Sequence, residues 1–201
     1  MVTVGVLARF EAKPGNEAAV ERFFQEGLPI VQRQSAETAW YAFRLGPTTF
    51  GAFAAFADEE ARHALLSVGG PVLAERHPEL FAEPPTFEMA DVLAAKLPGG
   101  EKSVTVGFLI RYEVKSGKEA VAESYLQEAL SAVQKQSGTM AWYAFRLGPT
   151  TFGVFDVFPN EESRQANFAD GAARVKEKDS GMIEDTFVIE KFDVLGTKLP
   201  G

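Results

Sequence analysis

The chain has 201 residues, 46% of them hydrophobic, and a formal net charge of −8. This length allows one large domain or two small ones, and the acidic balance argues against nucleic-acid binding, because phosphate affinity comes mainly from lysine and arginine. The absence of cysteine excludes disulfides, thiolate catalysis and cysteine metal sites. No apolar run reaches the roughly 18 residues of a membrane span, and no signal peptide is visible, so we expect a cytoplasmic protein without a membrane partner.

The second half of the sequence repeats the first without a gap. The stretch Ala39–Gly51 returns unchanged as Ala141–Gly153, so that residue n corresponds to residue n + 102. About half of all aligned positions are identical, which indicates a tandem duplication. The boundaries that we predict are repeat 1 over residues 1–98, a linker over 99–103 and repeat 2 over 104–201.

Each repeat begins with a strand followed by a helix. Apolar residues alternate with mixed ones from Val4 to Ala12, which predicts a half-buried strand. A helical spacing follows in Val20, Phe23, Phe24, Leu28 and Val31. Gly27 and Pro29 fall inside this helix, and proline removes a backbone donor there, so we expect the corresponding helix of repeat 2 to run straighter.

The duplicated stretch predicts a β-hairpin. Residues 38–45 are rich in aromatic side chains and suit a strand, Gly46-Pro47-Thr48 suits a tight turn, and residues 49–56 suit the returning strand. Asp58 and Asn160 are good N-cap residues for a second helix. In repeat 1 that helix is interrupted by Gly69-Gly70-Pro71 and restarts to about Phe81, whereas in repeat 2 it runs to about Lys178. A last strand covers residues 86–93 and 187–195.

The resulting order, β-α-β-β-α-β in each repeat, is typical of a ferredoxin-like α+β fold. Its sheet is covered by helices on one face only, so the other face needs a partner. We therefore predict two ferredoxin-like repeats packed sheet to sheet as an intramolecular dimeric α+β barrel. The repeats pair within the chain, and pairing with a second copy of the chain stays open.

The chain resembles the antibiotic biosynthesis monooxygenase-like domains of the dimeric α+β barrel superfamily. The resemblance rests on the hairpin sequence Trp-Tyr-Ala-Phe-Arg-Leu-Gly-Pro-Thr-Thr-Phe-Gly, on Glu-Glu-(Ala/Ser)-Arg in the second helix and on the closing Lys-Leu-Pro. It implies either a cofactor-independent monooxygenase, in which an ionised aromatic substrate reacts directly with O₂, or a haem-degrading enzyme. Such monooxygenases place Asn, Trp and Tyr around the pocket, but no asparagine lies on the central strands here. Repeat 2 has no histidine to hold a haem, and in repeat 1 His63 corresponds to Gln165 while His77 lies near the end of its helix, so we expect no cofactor.

Two accounts of the conserved hairpin remain open at this stage. It lies at the contact between the repeats, or it also lines a small-molecule pocket. By strand alternation, Trp40, Ala42 and Arg44 share one face, which we predict to face the other repeat, while Tyr41 and Phe43 meet the helices. This orientation predicts an ionic cluster inside the barrel. The cluster would serve either as structural ion pairs or as an anion-binding or substrate-ionising site. Its members would be Arg9, Glu11, Arg44, Arg111, Glu113 and Arg146.

One buried carboxylate distinguishes the repeats. Asp156 replaces Ala54 within an apolar strand, where it would act as a general base or pair with an arginine. The tyrosines of the hairpin are core residues or catalysts. No metal constellation is expected, and no catalytic residue is assigned. The sequence thus favours a monooxygenase acting on a small aromatic or quinone-type molecule, or alternatively a non-catalytic binding or structural barrel. The candidate pocket residues are Trp40, Tyr41, Arg44, Trp142, Tyr143, Arg146 and Asp156.

Overall fold

A computed structural model of the chain describes residues 1–33, 39–98, 103–168, 181–184 and 186–199. The predicted α+β class and the eight-stranded barrel are confirmed: the strands follow one another in the closed order β1-β3-β2-β8-β5-β7-β6-β4. Residues 99–102 of the predicted linker and the part of the predicted helix beyond residue 168 lie outside the described residues.

The elements follow the predicted order in both repeats. Repeat 1 contains β1 (Val4–Glu11), α1 (Glu17–Gln32), β2 (Ala39–Arg44), β3 (Thr49–Phe56), α2 (Glu59–Leu66), α3 (Gly70–Arg76) and β4 (Thr86–Lys96). Repeat 2 contains β5 (Val106–Glu113), α4 (Glu119–Gln134), β6 (Ala141–Arg146), β7 (Thr151–Phe158), helical residues 161–168 and β8 (Val188–Lys198). The N-caps are confirmed, since Asp58 accepts a hydrogen bond from the N–H of Ala61 and Asn160 from that of Ser163.

The chain folds into two compact units that do not coincide with the sequence repeats. Unit 1 comprises Met1–Ala90 together with the chain from Phe192 onward, and unit 2 comprises Asp91–Lys191. The end of β8 therefore belongs to unit 1, where residues 193–198 pair antiparallel with β2. In the same way, residues 91–96 of β4 pair with β6 in unit 2. Each hairpin thus receives its neighbouring strand from the other sequence repeat.

A lysine fastens each of these strand ends to a helix. In unit 1, Nζ of Lys198 donates a hydrogen bond of 3.2 Å to the carbonyl oxygen of Val31, near the end of α1. In unit 2, Nζ of Lys96 donates to the carbonyl oxygens of Val133 and Gln136, at 3.1 and 2.6 Å. The last carbonyls of a helix have no partner within the helix and carry partial negative charge, so an ammonium group stabilises them.

The structure corrects the predicted orientation of β2. Trp40 and Ala42 lie in the core that the sheet forms with α1, together with Val6, Ala8 and Phe24. The alternate residues of β2 are on the other face, where the ring centroid of Phe43 lies 4.5 Å from that of Phe192. The prediction placed this face away from the helices because it carries the charged Arg44. Arg44 is the last residue of the strand, however, so its side chain reaches solvent while staying on the helix side of the sheet.

The predicted ionic cluster inside the barrel is also wrong for its hairpin arginines. Arg44 forms an ion pair of 3.0 Å with Glu21 of α1 and donates to the carbonyl oxygen of Gly46 in the hairpin turn. Arg146 repeats this in unit 2, with Glu123 at 2.7 Å. The carboxylates of Glu11 and Glu113 accept hydrogen bonds instead from the threonine hydroxyls of the two turns, which are Thr48, Thr49, Thr150 and Thr151.

Close packing on the inner face requires a glycine in each hairpin. A methyl group on Gly51 would lie 2.5 Å from Cζ of Phe43 and 3.2 Å from the carbonyl oxygen of Ala8. The same clash recurs at Gly153, against Phe145. Because Phe43 is fully buried and packed against neighbouring side chains, its ring has little room to move.

We expect Gly51→Ala to lower the free energy of unfolding by about 1–3 kcal/mol, the usual cost of overpacking a core. Gly46→Ala is the matched control in the same hairpin. A methyl group added there would lie no closer than 3.7 Å to any neighbour, the nearest being Oγ1 of Thr49. Denaturant unfolding measures both. Equal stabilities for the two variants would contradict this packing argument.

Candidate functional site

A cavity lies between the sheet and the helices of unit 1. Its volume, counted as the space open to the centres of water molecules, is about 60 Å³. The helices contribute Phe23, Phe24, Gly27, Val31, Leu65, Leu66 and Leu73, and the sheet wall consists of Val6, Ala8, Phe10, Trp40, Ala52, Ala54, Phe56 and Phe87. None of the side chains lining it is ionisable, so the cavity suits an uncharged apolar or aromatic group.

The cover of this cavity depends on the predicted helix break. The segment Gly69-Gly70-Pro71 lines the cavity and contains the N-cap and the first two residues of α3, just after the gap that separates it from α2. A methyl group on Gly69 would lie 2.7 Å from the carbonyl oxygen of Leu65, and one on Gly70 would lie 3.2 Å from the ring of Phe87. These glycines allow the chain to turn closely over the cavity. Pro71 suits the first turn of α3, because the backbone N–H that proline lacks would have no partner within the helix there.

Trp40 forms a wall between two spaces. Besides the main cavity, it lines a second cleft, whose other lining residues are Glu21, Phe24, Gln25, Leu28, Leu195 and Gly196. A methyl group on Gly196 would lie 3.8 Å from the indole ring, so the end of β8 packs directly against the tryptophan. The side chain is only 7% exposed. Trp40, one of the pocket candidates from the sequence, thus lines a cavity on the opposite side of the strand from the one expected.

The other hairpin candidates occupy different places. Tyr41 and Tyr143 are fully buried on the opposite face of their strands from Trp40 and Trp142. Arg44 and Arg146 lie at the hairpin turns, paired with helix glutamates as described above. Neither the tyrosines nor the arginines line the cavity of unit 1.

Unit 2 has polar groups at three positions whose counterparts line the cavity of unit 1. Asp156 corresponds to Ala54, Tyr112 to Phe10 and Tyr125 to Phe23. Tyr112 and Trp142 belong to the core of unit 2, and Tyr125 packs against it. The sequence analysis named Asp156 but not the two tyrosines, which a comparison of the repeats at cavity positions would have identified.

Asp156 is a buried acid in an apolar core. Its side chain is 3% exposed, and Oδ1 has no hydrogen-bond partner in the described part of the chain. Burial raises the pKa of this carboxyl to about 8, against the weaker opposite effect of the backbone N–H groups of Phe108 and of Asp156 itself. Among the described residues no arginine forms an ion pair with it, so the pairing considered from the sequence is not found there. Burial likewise raises the pKa of Tyr112, and the neighbouring Tyr125 adds to the effect.

The described residues contain no group of three or more His, Asp or Glu side chains placed to hold a metal ion. Within the same part of the chain, no helix combines the length and the apolar character needed to cross a membrane.

Known structures share this fold. A candidate monooxygenase from Fusobacterium nucleatum matches with a TM-score of 0.82 at 16% identity, over 100% of this chain and 95% of that one. An anthrone oxidase-like protein matches with a TM-score of 0.63 at 11% identity, over 99% and 94%. A Listeria monocytogenes ferredoxin-fold protein related to antibiotic biosynthesis monooxygenases matches with a TM-score of 0.56 at 8% identity, over 96% and 95%. No family model and no curated protein matches the sequence. The expected likeness to the monooxygenase-like α+β barrels is thus confirmed at the level of the fold.

The buried acid makes the stability of the protein depend on pH. Folded Asp156 keeps its proton up to a pKa of about 8, whereas an ordinary aspartate loses it near 3.8. Between these values the folded chain binds the extra proton, so the free energy of unfolding falls as the pH rises, by up to about 1.4 kcal/mol per pH unit. Above pH 8 this contribution levels off.

We therefore expect Asp156→Asn to gain stability relative to the wild type as the pH is raised from 5 to 8. Denaturant unfolding at several pH values measures the difference. Glu162→Gln, at an exposed carboxylate, is the control. Parallel stability curves for Asp156→Asn and the wild type would show that the carboxyl is not held in its neutral form.

Proposed function

We propose that the protein is a cofactor-independent monooxygenase acting on a small aromatic or quinone-type compound. The observation that carries the proposal is the apolar cavity beside Trp40, enclosed between the sheet and α1, α2 and α3. The likeness in fold to a protein named as anthrone oxidase-like supports the same class of substrate. A flat, uncharged ring system matches a cavity without ionisable side chains, and aromatic walls favour ring contacts.

The proposed reaction uses O₂ as the oxidant. An anthrone-type CH₂ carbon gives up a proton, and the resulting carbanion passes electrons to O₂. One oxygen atom stays on that carbon as a carbonyl group, and the other leaves as water with the two hydrogens of the CH₂ group. The protein contributes by holding the ring, by excluding bulk water from the carbanion and by favouring the ionised form of the substrate.

The size of the cavity implies that its cover moves. The space of about 60 Å³ holds a few water-sized spheres, which is less than a ring system of several fused rings requires. The helix break at Gly69-Gly70 is the natural hinge, because glycine tolerates backbone changes at low cost. Substrate binding in unit 1 thus involves an outward displacement of α3.

A non-catalytic binding protein is the second candidate function. It is favoured by one specific observation, that no side chain lining the cavity of unit 1 can accept a substrate proton. A domain of this kind would bind the same aromatic class and release it unchanged.

Oxygen uptake with a panel of anthrones and quinols separates the two candidates. For a monooxygenase we expect one O₂ consumed per substrate oxidised, one atom of ¹⁸O₂ in the product and no hydrogen peroxide. Trp40→Phe and Trp142→Phe should each retain the fold, and at least one should lower kcat/KM by about 10-fold, because the ring contact and indole N–H are lost. Met89→Leu, at an exposed position of β4, should behave as the wild type.

Binding is measured in parallel through tryptophan fluorescence. Quenching by the same compounds without oxygen uptake would establish the non-catalytic function instead. If no member of the panel causes oxygen uptake or fluorescence quenching, both candidate functions are ruled out.

A further inference from the structure

We propose that Asp156 is the base that accepts the substrate proton, so that turnover takes place in unit 2 while unit 1 binds the aromatic compound without ionising it. This inference rests on the proposed oxygenase function. It assigns the two sequence repeats different roles and restricts the substrate of unit 2 to aromatic compounds with an acidic O–H or C–H group.

The position of Asp156 is the first step of the argument. In the sheet it pairs with Phe108 of β5 on one side and with Trp142 of β6 on the other. Strand alternation places it on the same face as Val154, which belongs to the helix-side core of unit 2. Its counterpart Ala54 lines the cavity of unit 1. The carboxyl group therefore occupies the strand position, beside a tryptophan, whose counterpart in unit 1 lines the cavity.

The missing partner is the second step. An acid that serves the fold is normally hydrogen-bonded or ion-paired, since burying it otherwise costs stability. Oδ1 of Asp156 has no such partner within the described residues, although the side chain is 3% exposed. Packing does not account for the acid, because the alanine of unit 1 satisfies the same strand position. An Oδ1 atom without a hydrogen-bond partner is available to accept a proton from a bound molecule.

Two cations on neighbouring elements bond to other groups within the described part of the chain, which is the third step. Lys96 of β4 donates to the end of α4, and Arg164 of the helical residues 161–168 bonds to Glu161 and to the carbonyl oxygen of Gly107. Further titratable or charged side chains that the structure describes on this side are Tyr112 on β5, Tyr125 on α4 and the pair Arg146–Glu123 at the hairpin end. The two phenols are hydrogen-bond donors suited to an oxygen atom of the substrate.

The environment also gives the base an appropriate strength. A carboxylate of ordinary pKa near 3.8 is a weak acceptor for a phenolic or activated C–H proton, whereas the pKa of Asp156 is raised to about 8. Proton transfer is most efficient when the pKa of the catalyst approaches the working pH. Only ionised Asp156 can act, so activity should increase as the pH rises towards 8 and level off above it.

The proton and electron balance is complete with O₂ as the only co-reactant. Ionised Asp156 takes one proton from the CH₂ group, and the carbanion adds O₂ to form a C–O–O⁻ anion. Asp156 returns its proton to the terminal oxygen, which gives a hydroperoxide. Loss of water then breaks the O–O bond and the remaining C–H bond and leaves the carbonyl group. The carboxylate ends in the state in which it began.

The presence of two tryptophans allows each unit to be monitored separately. Trp40→Phe leaves Trp142 as the reporter of unit 2, and Trp142→Phe leaves Trp40 as the reporter of unit 1. In the Trp40→Phe background, we expect Asp156→Asn to lower kcat by about 100-fold or more. The Kd for the substrate, measured by Trp142 fluorescence, should change by less than about 3-fold, because the amide keeps the size of the side chain.

The pH profile provides the readout that a merely structural role would not change. In the wild type, kcat/KM should rise through a single ionisation near pH 8, while the Kd of unit 1, reported by Trp40, should not depend on pH. Circular dichroism confirms that Asp156→Asn is folded. Asp156→Glu, which restores a carboxylate, should recover part of the activity lost in Asp156→Asn.

The outcomes distinguish this inference from the proposed function. If the wild type consumes no O₂ with any substrate, the oxygenase function fails. If the wild type is active but Asp156→Asn retains its turnover, the oxygenase stands and Asp156 is not the base. A wild-type profile that is flat from pH 6 to 9 overturns the assignment of Asp156 independently of any variant.

Discussion

The pairing of each hairpin with the end of a strand from the other sequence repeat is the constraint on which the rest of the structure depends. Residues 193–198 complete the sheet beside β2, and residues 91–96 do so beside β6. Without these partners, each hairpin would present an open edge of unpaired backbone groups. Lys198 and Lys96 then join the same strand ends to α1 and α4, so the pairing that closes the sheet also positions the helices that cover it.

This pairing gives a structural reason for the identity of the two hairpins. Several hairpin residues also have separate contacts within their own unit. Arg44 holds the turn and α1, Gly51 makes room for Phe43, and Trp40 faces the cavity while packing against the end of β8. A change at one position would disturb a neighbour that is equally confined, because packed cores tolerate little change in volume. The unbroken repeat therefore does not by itself indicate an active-site motif.

The fold was predictable from the sequence because its signals are local. Alternation, helical spacing, N-caps and the Gly69-Gly70-Pro71 break each depend on residues close together in the chain, and the duplication doubles the evidence. The orientation of β2 was not predictable, since Arg44 is compatible with either face until Glu21 is placed beside it. The residues of the candidate site differ in how visible they are in the sequence. Trp40 and Asp156 stand out as single residues, whereas Tyr112 and Tyr125 gain meaning only when their counterparts are seen to line a cavity.

The tandem arrangement makes the difference between the units possible. In a symmetric homodimer, any substitution occurs in both subunits, so a buried unpaired acid would be present twice and its cost in stability would be doubled. In a duplicated chain, Asp156 occurs once, and Ala54 keeps the equivalent wall apolar. The shared barrel constrains the hairpins to remain the same, but it does not impose the same requirement on the helix-facing walls. Divergence at those walls is therefore the route by which one repeat can acquire an acid while the other continues to provide a fully apolar cavity.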